Sequence, residues 1–484
     1  MTATHSDPAT RHETSTDHRL TTMSLAGSRG PKVDYGALPQ GYRWPALAQT
    51  FGLIRMRHQF VPHLRRRFGD RFTLRLVPKG RPMVLFDNPD ATKQIFAGDP
   101  RSFHAGKGNA ILGPIMGEHS LLLVDGEQHK RARKLLMPAF RPAVMKDYRA
   151  MVTEIARAEV ATWDAGQEFR SLERMNALTL EVILRVVFGV TDESRLDRLR
   201  PLVLATVDIK PLILMGWAYP SLLRFGPWKR IVEVQRQLDD LIYAEIAERR
   251  TATDLDTRTD VLTQLLHVGH DDAAEGEEPL SDAELRDQLV TLLLAGHETT
   301  ASGLAWSLYE LGRHPELMRK GQEAADAGDE DYLEAIMKEA LRLHPIIPMV
   351  VRQLQEPADI DGTHLPAGTS TGPSILLSHD SEQNFPEPER FRPERFLEDK
   401  IQPNTWIPFG GGVRRCIGAG FSLMEGVAVL QEVLAAYDVT VVPGHDDHPK
   451  VRNITSVPAL GARIVVDSRL TGGPGRMTGT RPRR

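Results

Sequence analysis

The chain has 484 residues, 41% hydrophobic and 26% charged, an ordinary globular balance with room for one large domain or two to three smaller ones. Its formal net charge of -4 gives no ground for a nucleic-acid partner. A single cysteine excludes an internal disulfide and every site built from several thiolates, and it fits a reducing, cytoplasmic compartment.

Residues 1–36, rich in Thr, Ser, His and Gly, read as a disordered arm. With no apolar core they form neither a signal peptide nor a membrane anchor, and no later run reaches the ~18 apolar residues that span a bilayer. "FTLRLVPKGRPMVLF" (72–86) alternates apolar and polar residues around Lys79-Gly80, which predicts a hairpin. From Gly126 to about Leu341 helical periodicity dominates. Within it, "GEQHKRARK" sets His129 and Arg133 four apart on one helical face.

A long helix is expected from Ser281, where "SDAE" makes a capping box with Glu284, to Arg313-His314, where Pro315 stops it. At a rise of ~1.5 Å per residue its roughly 33 residues span about 50 Å, so it must cross the middle of the protein. Its centre, "AGHETTAS", is small and polar. This is either a packing notch or a functional interruption, since Thr299 and Thr300 are poor mid-helix residues. "EALR" places Glu339 and Arg342 three apart, by itself a common surface pair worth a few tenths of a kcal/mol. Short strands are expected near 350–377 and 438–466, and residues 469–484 read as a disordered tail.

"FGGGVRRCIGAG" (409–420) holds the lone cysteine. Gly410, Gly411 and Gly412 allow a tight loop, and an apolar helix is expected to follow, which would put Cys416 at a helix N-terminus and favour its thiolate. A thiolate beside Phe409 and Ile417 suits a soft metal or a haem iron. It also suits a nucleophile, whose histidine base can lie anywhere in the sequence, and the loop alone leaves these readings open.

The spacing of Phe409, Gly412, Arg414, Cys416 and Gly418 resembles the haem-binding loop of the cytochrome P450 monooxygenases, and the other motifs occur in the family's order over roughly residues 38–467. The resemblance implies that Cys416 is the axial ligand of haem b iron. It also implies a buried structural triad of Glu339, Arg342 and Arg395, the last from the meander "FPEPERFRPERF". In "AGHETT" it implies an oxygen-activation site, with Ala295 and Gly296 leaving room for the flat cofactor, Thr299 as the catalytic hydroxyl and Glu298 as proton relay. Thr299 is further expected to bond back to a helix carbonyl and loosen the helix. His129, Arg133, Arg352 and Arg414 are the expected propionate partners, although the family often has Trp in place of His129.

The expected fold is mainly α with small β-sheets: one large P450 domain over residues 37–468, with haem between the long central helix and the cysteine loop. A distal pocket is expected from Leu292, Ala295, Ile347, Met349, Val350 and Leu460, with residues 207–223 as a lid. The expected reaction inserts one atom of O2 into a hydrophobic substrate: a fatty acid, terpenoid, sterol or polyketide. Electrons would come from NAD(P)H through a ferredoxin or flavodoxin and its reductase, and Lys130, Arg131 and Lys134 are either a docking face for that donor or a solvated face. Rival readings are a peroxide-driven variant, an isomerase or dehydratase on the same fold, and a non-enzymatic haem sensor.

Overall fold

The computed structural model describes residues 38–77, 80–190, 192–207, 224–267 and 279–469. The expected arm (1–36), residues 208–223 of the expected lid, and all but the first residue of the expected tail lie outside these ranges.

The chain opens with helices α1 (Ala46–Arg55) and α2 (Arg57–Phe68), followed by strands β1 (Arg71–Leu76) and β2 (Arg81–Phe86). The alternating segment does form the expected antiparallel hairpin, Thr73 facing Val84. Helix α3 (Pro89–Ala97) is capped by Asn88, whose Oδ1 accepts from the Ala91 N–H at 2.7 Å. Strand β3 (Phe103–His104) leads to α4 (Gly126–Leu136), α5 (Pro142–Val160), β4 (Gln167–Arg170), α6 (Ser171–Phe188) and α7 (Gly226–Arg250).

The long helix α8 runs Asp282–Arg313, and its capping box is present: Ser281 Oγ accepts from Glu284 N–H at 3.3 Å while Glu284 Oε2 accepts from Ser281 N–H at 2.9 Å. Leu289, Val290, Leu292 and Leu293 are buried, as a helix packed from several sides requires. It packs most extensively on α6, and also on α9 (Glu330–Leu343). Small strands follow: β5 (Arg352–Leu354), β6 (Ala358–Ile360), β7 (Thr363–Leu365) and β8 (Ser370–Pro373). Helix α10 (Ala419–Ala436) comes after the cysteine loop, then β9 (Tyr437–Val441), β10 (Pro449–Arg452), β11 (Thr455–Pro458) and β12 (Arg463–Ser468). Among the described residues only α10 is long and apolar enough to cross a membrane, and it packs in the core against α5, α9 and α8.

The strands form a five-stranded sheet in the order β1-β2-β8-β5-β3, a three-stranded sheet β4-β12-β9, and the hairpins β6-β7 and β10-β11. The only parallel pairing among them joins β2 to β8 and so ties the N-terminal hairpin to the strands that precede the cysteine loop.

Buried polar groups at the start of α8 tie down the loop before α4. Arg286 donates to Asp239 of α7 at 2.7 Å and to the Ile115 carbonyl at 3.2 Å, and Gln288 Oε1 accepts from Leu121 N–H at 3.1 Å. Gly117 sits at φ +83° against Asp287, where a Cβ would lie 2.0 Å from Oδ1, so no side chain fits there.

The triad inferred from separated motifs is assembled. Glu339 accepts two bonds from Arg342, both 2.8 Å, and one from Arg395 Nε at 3.0 Å, with all three side chains at or below 1% exposure. The remaining guanidinium N–H groups go to the carbonyls of His379 (3.1 Å), Pro388 (2.7 Å) and Pro386 (3.1 Å). Every charge is therefore compensated in place, which is the condition for burying ions at tolerable cost. Glu339→Ala is expected to strand two buried guanidinium groups and cost about 3–5 kcal/mol, read as a lowered urea midpoint.

Candidate active site

The cysteine loop is closed by its own backbone. Cys416 N–H donates to the Phe409 carbonyl at 2.9 Å, and Gly410 N–H to the Ile407 carbonyl at 3.0 Å. The glycines serve close approach. Gly412, at φ +64°, would put a Cβ 2.0 Å from the Phe96 carbonyl oxygen, and Gly411 would put one 2.2 Å from the Phe96 ring. Phe96 of α3, which sequence reasoning missed, is thus the platform on which the loop rests. Phe409 is half-buried and meets Trp406 edge-on at 5.9 Å.

Behind the loop stands His379, also missed. It is buried, and burial together with Arg342 pulls its pKa down to about 3. The neutral ring accepts the Ile407 N–H on Nε2 at 3.0 Å, and its carbonyl accepts from Arg342 at 3.1 Å. One residue therefore joins the triad to the loop.

Cys416 has exposed surface, yet burial raises its thiol pKa above the ordinary value, outweighing the Gly418 N–H and the charges of Arg133 and Arg415. The two facts agree if the exposed side opens into the protein interior. The expectation of a readily ionised thiol therefore fails for the polypeptide alone. Helix α10 begins at Ala419, and its N-cap Gly418 N–H does favour the thiolate, but desolvation prevails.

Across from the loop, Thr300 of α8 lies 3.1 Å from Ser422 of α10, whose N–H donates to the Gly418 carbonyl at 2.8 Å. This contact holds α8 beside the cysteine loop. Ala295 is exposed in the middle of a helix whose neighbouring turns are buried, and a Cβ on Gly418 would meet nothing within 4 Å. These are the marks of an interior slot bounded by Cys416 and α8. Gly296 does not share in it: a Cβ there would lie 2.6 Å from Ile183 Cδ1. Its small size serves the packing of α8 on α6, which corrects its assignment to the cofactor face.

Thr299 Oγ1 donates to the Ala295 carbonyl at 2.8 Å, the expected back-bond, but α8 continues unbroken through it. Glu298 is buried and turns toward the β10–β11 hairpin, where Arg452 Nε lies 3.2 Å from Oε1. The acid and the hydroxyl, adjacent in sequence, thus point to different faces, about 100° apart on a helix. Arg452 is one-third exposed and links Glu298 to the surface.

The four expected cations cluster. Arg414 donates to the Leu121 carbonyl at 3.1 Å and bonds to the Val124 carbonyl and the Asp125 carboxylate. Asp125 also accepts N–H bonds from Ala105 at 2.8 Å and Gly106 at 3.0 Å. Arg133 donates to the Arg415 carbonyl at 2.8 Å. Burial and the Arg414 charge pull Arg352 down to about 10, and burial, Arg414 and Arg133 pull His129 down to about 4. Several guanidinium groups around a single carboxylate suit a dianion lying among them, as haem propionates would. Arg131 is instead paired with Glu284 at 2.6 Å, and Lys130, largely exposed, lies 3.5 Å from Glu127.

The expected distal-pocket residues do not form one wall. Leu292 is buried in the main core. Ile347 and Val350 pack with Phe86 and Ile95, Met349 packs in a separate cluster with Leu85 and Leu377, and Leu460 is 38% exposed beyond β11. Ile115 and Met116 are buried.

The cytochrome P450 family profile matches residues 38–464. The chain is a cytochrome P450. It is 48% identical over 440 residues to cytochrome P450 135A1 of Mycobacterium tuberculosis H37Rv, covering 90% of this chain and 97% of the relative. It is 40% identical over 435 residues to cytochrome P450 135B1 of Mycobacterium bovis, covering 89% and 91%. Among solved structures it superposes on the retinoic-acid-bound cyanobacterial CYP120A1 with a TM-score of 0.79 at 24% identity, covering 90% of this chain and all of that one. Family membership makes the protein a haem-dependent monooxygenase, an oxidoreductase whose metal is iron.

The P450 holds one buried acid that the sequence reading passed over. Glu425 of α10 is buried, neither carboxyl oxygen receives a well-formed hydrogen bond, and burial raises its pKa well above the carboxylate range against a smaller opposing effect of the Thr300 hydroxyl. It is therefore a neutral carboxylic acid in the folded protein. A raised folded pKa gives stability that is complete below the unfolded value and declines as pH rises toward the folded one. Glu425→Gln removes that decline, so its urea midpoint relative to the parent is expected to improve steadily from about pH 5 to about pH 8.

Proposed function

We propose that this P450 hydroxylates or epoxidises a hydrophobic small molecule of the fatty acid, terpenoid, sterol or polyketide class, with O2 as co-substrate. Electrons come from NAD(P)H through a ferredoxin or flavodoxin and its reductase, in the cytoplasm. What supports this reading is that Cys416 is desolvated yet keeps exposed surface, that Ala295 is exposed in mid-helix, and that the Thr300–Ser422 contact holds α8 beside the cysteine loop.

Haem b, bound there, supplies the iron at which dioxygen is reduced. Cys416 would hold that iron through its sulfur, and the metal's charge would supply the thiolate stabilisation that the polypeptide lacks. Phe409, Gly412 and Gly418 shape the loop around the sulfur. His129, Arg133, Arg352 and Arg414 hold the propionates, with Asp125 fixing Arg414.

Thr299 holds a proton at its Oγ1, exchanging its bond to the Ala295 carbonyl for one to the substrate side of the slot. Glu298 carries protons inward by a rotamer change, and Arg452, one-third exposed, holds its carboxylate on the solvent-facing side of that swing. The presence of this relay favours an O2-driven enzyme over a peroxide-driven one, and over an isomerase, a dehydratase or a sensor.

Cys416→Ser is expected to abolish the thiolate-type absorption of the reduced CO complex, and its retention would remove the sulfur from the iron. Thr299→Ala is expected to keep haem content while diverting most consumed electrons to peroxide, measured as peroxide formed per NAD(P)H oxidised. Unchanged coupling excludes Thr299 from proton handling.

A further inference from the structure

Helix α1 is inverted relative to the usual surface helix. Its inward side carries Gln49, fully buried, which donates to the Trp44 carbonyl at 2.8 Å and accepts from Arg75 N–H at 3.0 Å. Thr50 on the same side accepts from Val77 N–H at 3.0 Å. The outward side carries Leu47, 72% exposed, Phe51, 61%, and Ile54, 44%, with Trp44 and Met56 about half exposed at either end. Positions 47, 51 and 54 fall within about 60° of one another on a helix. Three large apolar side chains on the solvent face of one helix, while an amide is buried opposite, are not the scatter of single exposed hydrophobics that surfaces ordinarily show.

The surroundings say what covers this face. Between Leu38 and Phe86 the sequence holds ten Lys and Arg and one acidic residue, Asp70, although the whole chain is net negative. Arg71 pairs with Asp70 and Asp361, Arg65 with Asp87 just past this stretch, and Arg57 is buried, so none of these three belongs to the open basic surface. Arg43, Arg55, Arg66, Arg67 and Arg81 are exposed. The two kinds of residue are contiguous: Trp44 stacks on Tyr42 at 4.2 Å, Tyr42 meets Phe68 edge-on at 5.1 Å, and the Arg67 guanidinium lies 5.7 Å over the Phe68 ring. A strip of Leu, Phe, Ile and Trp rimmed by arginines matches the interface of an anionic bilayer, where apolar side chains enter the acyl boundary and guanidinium groups meet phosphate. A protein partner of complementary shape has no need of so one-sided a charge.

We propose that α1 and its basic rim dock this protein on an anionic lipid surface, as a peripheral contact that leaves the rest of the chain in the aqueous phase. The proposal is independent of the catalytic assignment. The test is co-sedimentation of the full-length, haem-loaded protein with phosphatidylglycerol–phosphatidylcholine vesicles and with pure phosphatidylcholine vesicles. The bound fraction is expected to be at least about tenfold greater on the anionic vesicles, and to fall as salt is raised from about 0.1 M to about 1 M. Leu47→Ser/Phe51→Ser/Ile54→Ser, checked for unchanged circular dichroism, is expected to lose binding, and Arg43→Glu/Arg55→Glu/Arg67→Glu to lose the preference for the anionic lipid. Failure to bind, equal binding to both vesicles, or binding indifferent to the serine variant overturns the proposal. So does a dimer, seen by light scattering without lipid, that the serine variant dissolves, because the face then belongs to a second copy.

Discussion

The desolvation of one sulfur atom governs the architecture. A thiol withdrawn from water resists ionisation, and in the ligand role proposed for Cys416 the protein's part is to hold the atom in position beforehand. It does so with backbone alone: the Phe409 carbonyl on one side and the Gly418 N–H on the other. A backbone-built cradle is only as firm as what lies behind it. Here that is the Phe96 platform beneath the glycines and the His379 link to the buried Glu339 triad.

The same logic sets the polar interior of α8 and α10. Groups that must stay charged, such as Arg286 and Arg342, are given carboxylates and carbonyls together. Groups without such partners are held neutral, as His379 and Glu425 are. Glu298 lies between these cases. It is buried but lies beside a partly exposed Arg452, a partner that Glu425 does not have.

Much of this was legible in the residues. The capping box at Ser281, the stop at Pro315 and the Lys79-Gly80 hairpin are local signals, and local chemistry decides them. The triad was legible through resemblance only, because nothing in a spacing of 56 residues tells Glu339 that Arg395 is its neighbour. What stayed hidden was set by tertiary approach. Gly296 reads as room for a cofactor until Ile183 is seen to occupy the space, and the glycines before Cys416 read as a flexible loop until Phe96 is seen beneath them. Met349 and Val350, neighbours in an apolar run, separate because successive residues of an extended chain face opposite sides. Glu425 looked like an ordinary helix acid, since its burial comes from neighbours far away in the chain.

The turn joining β10 to β11 has a second consequence. Arg57 of α2 grips the carbonyls of Asn453 and Ile454 at 2.9 and 3.1 Å, and the residue just before them, Arg452, faces Glu298. Outer helix α2 and the acid of the innermost helix are therefore fastened to the same four-residue hairpin end. The two are joined by a short run of polar contacts that bypasses the hydrophobic core.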